Sequence, residues 1–299
     1  MGDTLDDITG IVQHAFGFYS ILPLTSIKPK SPASSIASPT TLTSSSLDCR
    51  SLTIGSYNVE NLAPNSSHLP SIAAHIVTYL LTPDLIFLQE IQDSSGPADD
   101  GTLSANLTLS TLCDAIYAKS GVRYAFASVD PLPGNLDGGQ PGGNIRQAYL
   151  YREEVVGLYK PRQGSGGDAT GVVVDSDSDT DTDSGSVTKP KGQGKGKEKF
   201  KDNNKATADP SLTFNPGRID PANPAWEASR KPIAAAWIAK GAKRPFYTVN
   251  VHFSSKGGGT TLHGDARPPV NGGVARRKEQ ALVTGVSFSS FSLPTVPSY

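Results

Sequence analysis

Two polar clusters close apolar runs of this chain and carry its most informative chemistry. Asn58, Glu60 and Asn61 end the run L-T-I-G-S-Y-N-V-E-N-L, and Gln89, Glu90 and Asp93 end D-L-I-F-L-Q-E-I-Q-D. A carboxylate and a carboxamide are hard oxygen ligands, which suit Mg²⁺ or Ca²⁺ better than softer metals. The same Glu90 would serve equally as a cap or ion-pair partner at a strand end. A third group, His252, stands in N-V-H-F-S-S-K-G-G-G, among Ser254, Ser255, Lys256 and Gly257 to Gly259. An imidazole there could protonate an oxygen or hold a phosphoryl group, or it could simply be structural. Around it, Arg218, Arg230, Lys231, Lys240, Lys243, Arg244, Lys256, Arg267, Arg276 and Arg277 face only Asp220, Glu227 and Asp265 in sequence, a local charge of +7 in a chain of net charge -1. Arginine presents the forked donors that phosphate accepts, so phosphate is the expected ligand. Lys240, Lys243 and Arg244 occupy a turn and are expected to be solvated; Trp226 and Trp237 are expected in the core.

The elements that must position these groups follow from the apolar periodicity. Leu52, Ile54 and Val59, and then Leu85 to Leu88 with Ile91, are β-formers. Between them, His68 to Leu81 places Leu69, Ile72, Ala73, Ile76, Val77 and Leu80 at helical intervals. A strand, a crossover helix and a second strand predict a parallel pair whose carboxyl ends share one rim, the edge at which open α/β sheets bind ligands. Asn58 and Glu90 are therefore expected to meet.

At 299 residues the chain holds one large α/β domain or two small ones. Its near-neutral charge gives no global case for a polyanion partner. Cys49 and Cys113 exclude a disulfide framework and a Cys-rich zinc site and leave one bridge open. Asn65-Ser66-Ser67 and Asn106-Leu107-Thr108 fit the glycosylation acceptor pattern. No export signal opens the sequence and no apolar run approaches ~18 residues, so a soluble product without membrane contact is expected.

Along the chain, residues 1–25 hold the hydrophobic piece A-F-G-F-Y-S-I-L-P-L-T, read as one strand left from a preceding domain, and 26–50 form a Ser/Thr/Pro-rich linker. The folded body is expected over 51–286. A second helix is predicted for Ser104 to Lys119, strands for Tyr124 to Val129 and Gln147 to Arg152, and a hairpin for Ile233 to Ala239 with Phe246 to Val251. Residues 162–210, with aspartates alternating with Ser and Thr and then seven lysines among Gly, Pro and Gln, read as a disordered insertion. The aspartate run lacks the glycine and terminal glutamate of a calcium loop. A helix is expected over Ala275 to Val286, and 287–299 read as an unstructured tail.

Six blocks in order, Y-N-V-E-N-L, L-Q-E-I-Q-D, G-G-N-I-R-Q-A-Y-L-Y-R, P-G-R-I-D-P, S-R-K-P and V-N-V-H-F-S-S-K-G-G, resemble the endonuclease/exonuclease/phosphatase superfamily and, more narrowly, its secreted deoxyribonuclease-like branch. The resemblance spans residues 50 to 285 apart from the insertion. It implies a four-layer α/β sandwich of the deoxyribonuclease I-like type and metal-assisted hydrolysis of nucleic-acid phosphodiesters, DNA favoured. Glu90 would be the main Mg²⁺ ligand, with Asn58 and Asp220 beside it, and Ca²⁺ or Mn²⁺ as substitutes. His252, Asn58 and Tyr149 would form the catalytic set, and Arg230, Arg146, Arg218 and Lys256 would hold phosphate. By resemblance the location is extracellular; no protein partner can be inferred. Family members continue into a strand ending G-D-x-N and close with an Asp-His pair. Neither motif is present in this sequence, so an incomplete sandwich without its final strands and weak or no turnover is expected. The alternatives are a non-catalytic polyanion-binding remnant and a phosphomonoesterase of the same superfamily.

Overall fold

The computed structural model describes residues 3–15, 18–31, 37–44, 51–173, 209–260 and 266–290. The first of these form four short strands rather than the single strand expected: β1 (Thr4–Leu5), β2 (Gly10–Ala15), β3 (Phe18–Pro23) and β4 (Pro29–Ser31). β2 and β3 make an antiparallel hairpin that pairs Ile11 with Leu22 and Val12 with Ile21, and β1 pairs with β4 inside the stretch read as linker. An isolated strand leaves both edges of its backbone unpaired, and folding back satisfies one of them.

The body opens with β5 (Ile54–Leu62), α1 (Leu69–Thr78) and β6 (Leu85–Ile91), and β5 and β6 are parallel in the register Ile54↔Leu85 to Asn58↔Gln89. α2 (Asn106–Ser120), β7 (Ala125–Ser128) and β8 (Arg146–Tyr151) complete a sheet of order β5-β6-β8-β7, in which β8 runs antiparallel to both neighbours. A second sheet contains β9 (Val156–Leu158); a two-stranded ladder joins β10 (Val172–Val173) to β11 (Ser211–Leu212). β12 (Gly217–Arg218), a 3₁₀ turn at Pro224–Trp226, β13 (Ile233–Ala239), β14 (Phe246–Asn250) and α3 (Val274–Ser290) follow. β13 is central to the second sheet, paired with β12, β14 and β9. Its run I-A-A-A-W-I-A has no polar residue because both of its faces are covered.

The same logic explains β6. Ile86 and Leu88 point to α1 and α2, packing with Ile72, Ile76, Leu109 and Leu112. Leu85, with Phe87 beside it, points the other way, into an interlayer core with Tyr149, Ala235 and Trp237. The protein is thus a mixed α/β structure in which two sheets pack face to face and helices cover the far side of one. Trp226 and Trp237 are both fully buried, as expected.

Two expectations need correction. The supposed insertion is ordered at its start: Arg162 bridges Asn215, Ala169 bridges Arg218, and Thr170 Oγ1 donates to Phe214 O. Gly164 and Gly166 permit this close approach, since a Cβ would meet Phe214 and the Asp130 carbonyl. The aspartate and lysine runs, within 174–208, lie outside the described residues. α3 continues to Ser290, beyond the expected stop at Val286, with the Thr284 and Ser287 hydroxyls donating to carbonyls one turn back, a bonding that the helix accommodates. Residues 291–299 lie outside the described set. Finally, Cys113 is a free, buried thiol pushed up to about 12 by burial, and Cys49 lies outside the described residues. No helix among the described residues is long and apolar enough to cross a membrane.

Candidate functional site

The β5-β6 ladder breaks after Asn58↔Gln89 and resumes at Leu62↔Ile91. Within the break Glu60, Asn61 and Glu90 adopt left-handed backbone, with φ of 54, 53 and 67°. Non-glycine residues hold that conformation at a cost of about 1 kcal/mol or more each, and such strain gathers where side chains are aimed at a task. The irregularity brings the polar strand ends together. Glu90 Oε1 accepts from Asn58 Nδ2 at 2.8 Å, and Oε2 accepts from the Asn61 backbone N–H at 3.2 Å. Asn58 Oδ1 in turn accepts from the Glu60 N–H at 3.0 Å.

The other half of the site comes from the second sheet. His252, two residues past β14, sets Nε2 3.4 Å from Glu90 Oε1, and Arg230 Nε donates to its Nδ1 at 3.3 Å. A guanidinium only donates, so Nδ1 must accept and the ring proton belongs on Nε2, facing the carboxylate. Arg230 is fixed by a second bond to Phe253 O at 3.0 Å. Burial, reinforced by the adjacent guanidinium and opposed by Glu90, depresses His252 to about 4, so the ring is neutral near pH 7. Asn58, Glu90, His252 and Arg230 are therefore linked in one chain of contacts. The last three line an open cleft of about 600 Å³, together with Asn61, Ser255 and Arg276.

Two buried networks hold the halves in register. Asn250, 1% exposed, accepts from Gln89 Nε2 and donates to Leu88 O and Ala148 O, stitching β14 to β6 and β8. Tyr149, 0% exposed, accepts from Asn250 N and donates to Ile233 O across the same interlayer space. Its hydroxyl is thus a brace beneath the rim and does not line the cleft. The second network centres on Gln280 of α3, which accepts from Ser254 N and donates to Ala225 O, Ser229 Oγ and Ser254 Oγ. Sequence reading missed Asn250 and Gln280. The signal for Asn250 was a polar residue closing an apolar strand two places before His252; Gln280 lies on a helix rich in polar residues and had none.

Arg146 and Arg218, expected on phosphate, are each 1% exposed and already paired. Arg146 reaches Asp130 at 2.6 Å and Asn144 O at 2.9 Å, and Arg218 reaches Asp137 at 2.6 Å. Asp137 also holds Lys231 at 2.9 Å, and Asp209 holds Arg244 at 3.0 Å. Two acids from outside that stretch, Asp137 and Asp209, thus pair with three of the ten cations behind the sequence field of +7. Lys256 is exposed and outside the cleft lining, and Asp220 is exposed, turned toward Asn223 Nδ2 at 2.8 Å. Among the described residues, no three His, Cys, Asp or Glu side chains cluster closely enough to hold a metal.

No family model and no curated protein matches the chain. One solved structure, described as a functionally unknown conserved protein from Enterococcus faecalis V583, overlaps 67% of this chain at 14% identity with a TM-score of 0.28. The chain spans about half, 52%, of that structure's length. Together the fold and the cleft identify a mixed α/β protein with a polar rim assembled from two sheets.

Proposed function

We propose that the cleft is a phosphodiesterase site of the endonuclease/exonuclease/phosphatase type, acting weakly on nucleic acid, with DNA favoured. The observation that carries this reading is the continuous contact chain Asn58–Glu90–His252–Arg230 at the edge of two packed sheets. The finer fold, a deoxyribonuclease I-like four-layer sandwich, is part of the proposal. The two face-to-face sheets with helices over one of them support it.

Glu90 and the Asn58 carboxamide oxygen would hold a divalent cation, Mg²⁺ first and Ca²⁺ or Mn²⁺ as substitutes. One carboxylate with an amide oxygen suits a hard ion that keeps most of its own water. When bound, such an ion would neutralise charge developing on a phosphate oxygen. The residues of the chain supply the rest. Arg230 grips the phosphate with the guanidinium face not committed to His252 and Phe253. Neutral His252, its proton on Nε2, donates to a phosphate oxygen or delivers a proton as the bond breaks. Tyr149 and Asn250 keep the two sheet edges at fixed separation. An extracellular location belongs to the same reading.

A second reading, polyanion binding without turnover, is favoured by one observation: both Glu90 oxygens are engaged by protein donors, which leaves less of the carboxylate for a cation. Nicking of supercoiled plasmid with Mg²⁺ separates the two. Slow nicking that disappears in Glu90→Gln supports hydrolysis. Salt-sensitive DNA retention on filters without nicking supports the second reading, and neither nicking nor binding rejects both.

A further inference from the structure

Arg276 enters the cleft from the first turn of α3 and lines it together with Ser255 and Gly273. Among the described residues it makes no ion pair or hydrogen bond, and it is only partly exposed. The backbone that carries it is nonetheless fixed. Gln280 lies one helical turn further on, the spacing that shares a face with Arg276, and is fully buried and bonded to Ser254, Ser229 and Ala225. Arg277 donates to Ser255 O at 2.9 Å. The glycines complete the clamp: a Cβ on Gly272 would meet Gly257 O at 2.3 Å, and one on Gly273 would meet Ser255 O at 2.7 Å. Only bare backbone lets the loop after β14 touch the start of α3 this closely.

The cleft thus holds two guanidinium groups, Arg230 and Arg276, near enough for mutual repulsion to help lower the proton affinity of Arg230. Neither pairs with a carboxylate within ion-pair distance among the described residues. That differs from Arg146, Arg218 and Arg244, each of which does. Glu90 lines the same cleft and answers part of the charge on Arg230, so Arg276 is the cation left to be relieved by an added anion.

We propose that Arg276, with the Ser255 hydroxyl beside it, forms a second phosphate position, so that the cleft takes a nucleic-acid strand by two phosphates instead of a single phosphomonoester. This rests on the phosphodiesterase reading above and adds to it a second point of contact with the strand. It also assigns a role to α3, whose arginine-rich start the catalytic chain does not use.

The test is equilibrium binding by calorimetry in EDTA, where nothing turns over. The probes are thymidylyl-thymidine, with one phosphate, and its 5′-phosphorylated form, with two. The wild-type chain should bind the two-phosphate form about tenfold more tightly, the scale of one added charge-assisted contact. That advantage should vanish in Arg276→Gln and survive in part in Arg276→Lys. For a longer single strand, the salt slope should fall by about 0.7 in Arg276→Gln. Equal affinity of the wild type for the two probes, or an undiminished advantage in Arg276→Gln, overturns the proposal. Failure of the phosphodiesterase reading is seen separately, as plasmid nicking indifferent to Glu90→Gln.

Discussion

Arg218 and Arg230 come from the same basic stretch of sequence, and the fold gives them opposite fates. Arg218 is 1% exposed and forms a closed cluster with Asp137 and Lys231, its charge answered at 2.6 Å. Arg230 is buried too, at 7% exposure, but bonds only to a neutral imidazole and a carbonyl and lines the cleft. A buried arginine with its own acid holds structure; an arginine at the cleft without an ion-paired acid is the one proposed to hold a ligand. The difference lies in contact: Asp137, from a turn-rich loop remote in sequence, pairs directly with Arg218, whereas Arg230 feels Glu90 and Asp137 without an ion pair to either among the described residues.

The strongest way to break this contrast is to remove the acid. Asp137→Ala leaves Arg218 and Lys231 buried with no counter-charge and should cost about 3–5 kcal/mol in chemical denaturation. Stability near that of the wild type would show the cluster to be dispensable. Arg230→Ala should do the reverse. Its unfolding midpoint should move far less than that of Asp137→Ala, while any Mg²⁺-dependent plasmid nicking should drop roughly a hundredfold to a thousandfold, the scale for losing one preorganised donor.

Between these extremes sits the brace that joins the two regions. Tyr149→Phe removes a buried hydroxyl that accepts from the Asn250 N–H and donates to the Ile233 carbonyl, and should cost about 1 kcal/mol by urea unfolding. An unchanged midpoint would mean that the hydroxyl bears no strain between the sheets.

The pH dependence sharpens the account of the cleft. His252 has its folded value lowered to about 4 from the ordinary 6.5, first by burial and then by Arg230. The unfolded chain therefore takes up this proton before the folded one. Stability from this group is full above pH 6.5 and is lost as pH falls toward 4. Without divalent cations, His252→Gln should flatten that part of the stability profile, whereas Arg230→Ala should narrow the window by letting the ring protonate at higher pH. The smallest effect belongs to Asp220→Ala, an exposed residue outside the cleft, which should stay within about 0.5 kcal/mol in unfolding and leave metal dependence unaltered.

The same contrast explains what the sequence made legible. The parallel strands around α1 were readable because a crossover helix between two apolar runs leaves one arrangement, and the meeting of Asn58 with Glu90 followed from it. The hairpin of β13 and β14 was readable from a short turn between two apolar runs. Arg146 and Arg218 misled because their partners Asp130 and Asp137 come from loops whose path no periodicity records. The order in residues 162–173 was hidden because glycines there mark close backbone contact as readily as they mark a free linker. Gln280 was hidden because its burial depends on what packs against α3, and nothing in its own sequence neighbourhood distinguishes it from a solvated glutamine.

The central claim is that a carboxylate, an amide, an imidazole and a guanidinium on one rim jointly receive a cation and a phosphate. Calorimetric binding of inorganic phosphate, with and without Mg²⁺, tests it most directly. The wild-type chain should bind phosphate more tightly when Mg²⁺ is present; Glu90→Gln should lose the Mg²⁺ enhancement, and Arg230→Ala should lose the binding itself. Phosphate affinity that is the same in all three proteins and indifferent to Mg²⁺ would contradict it.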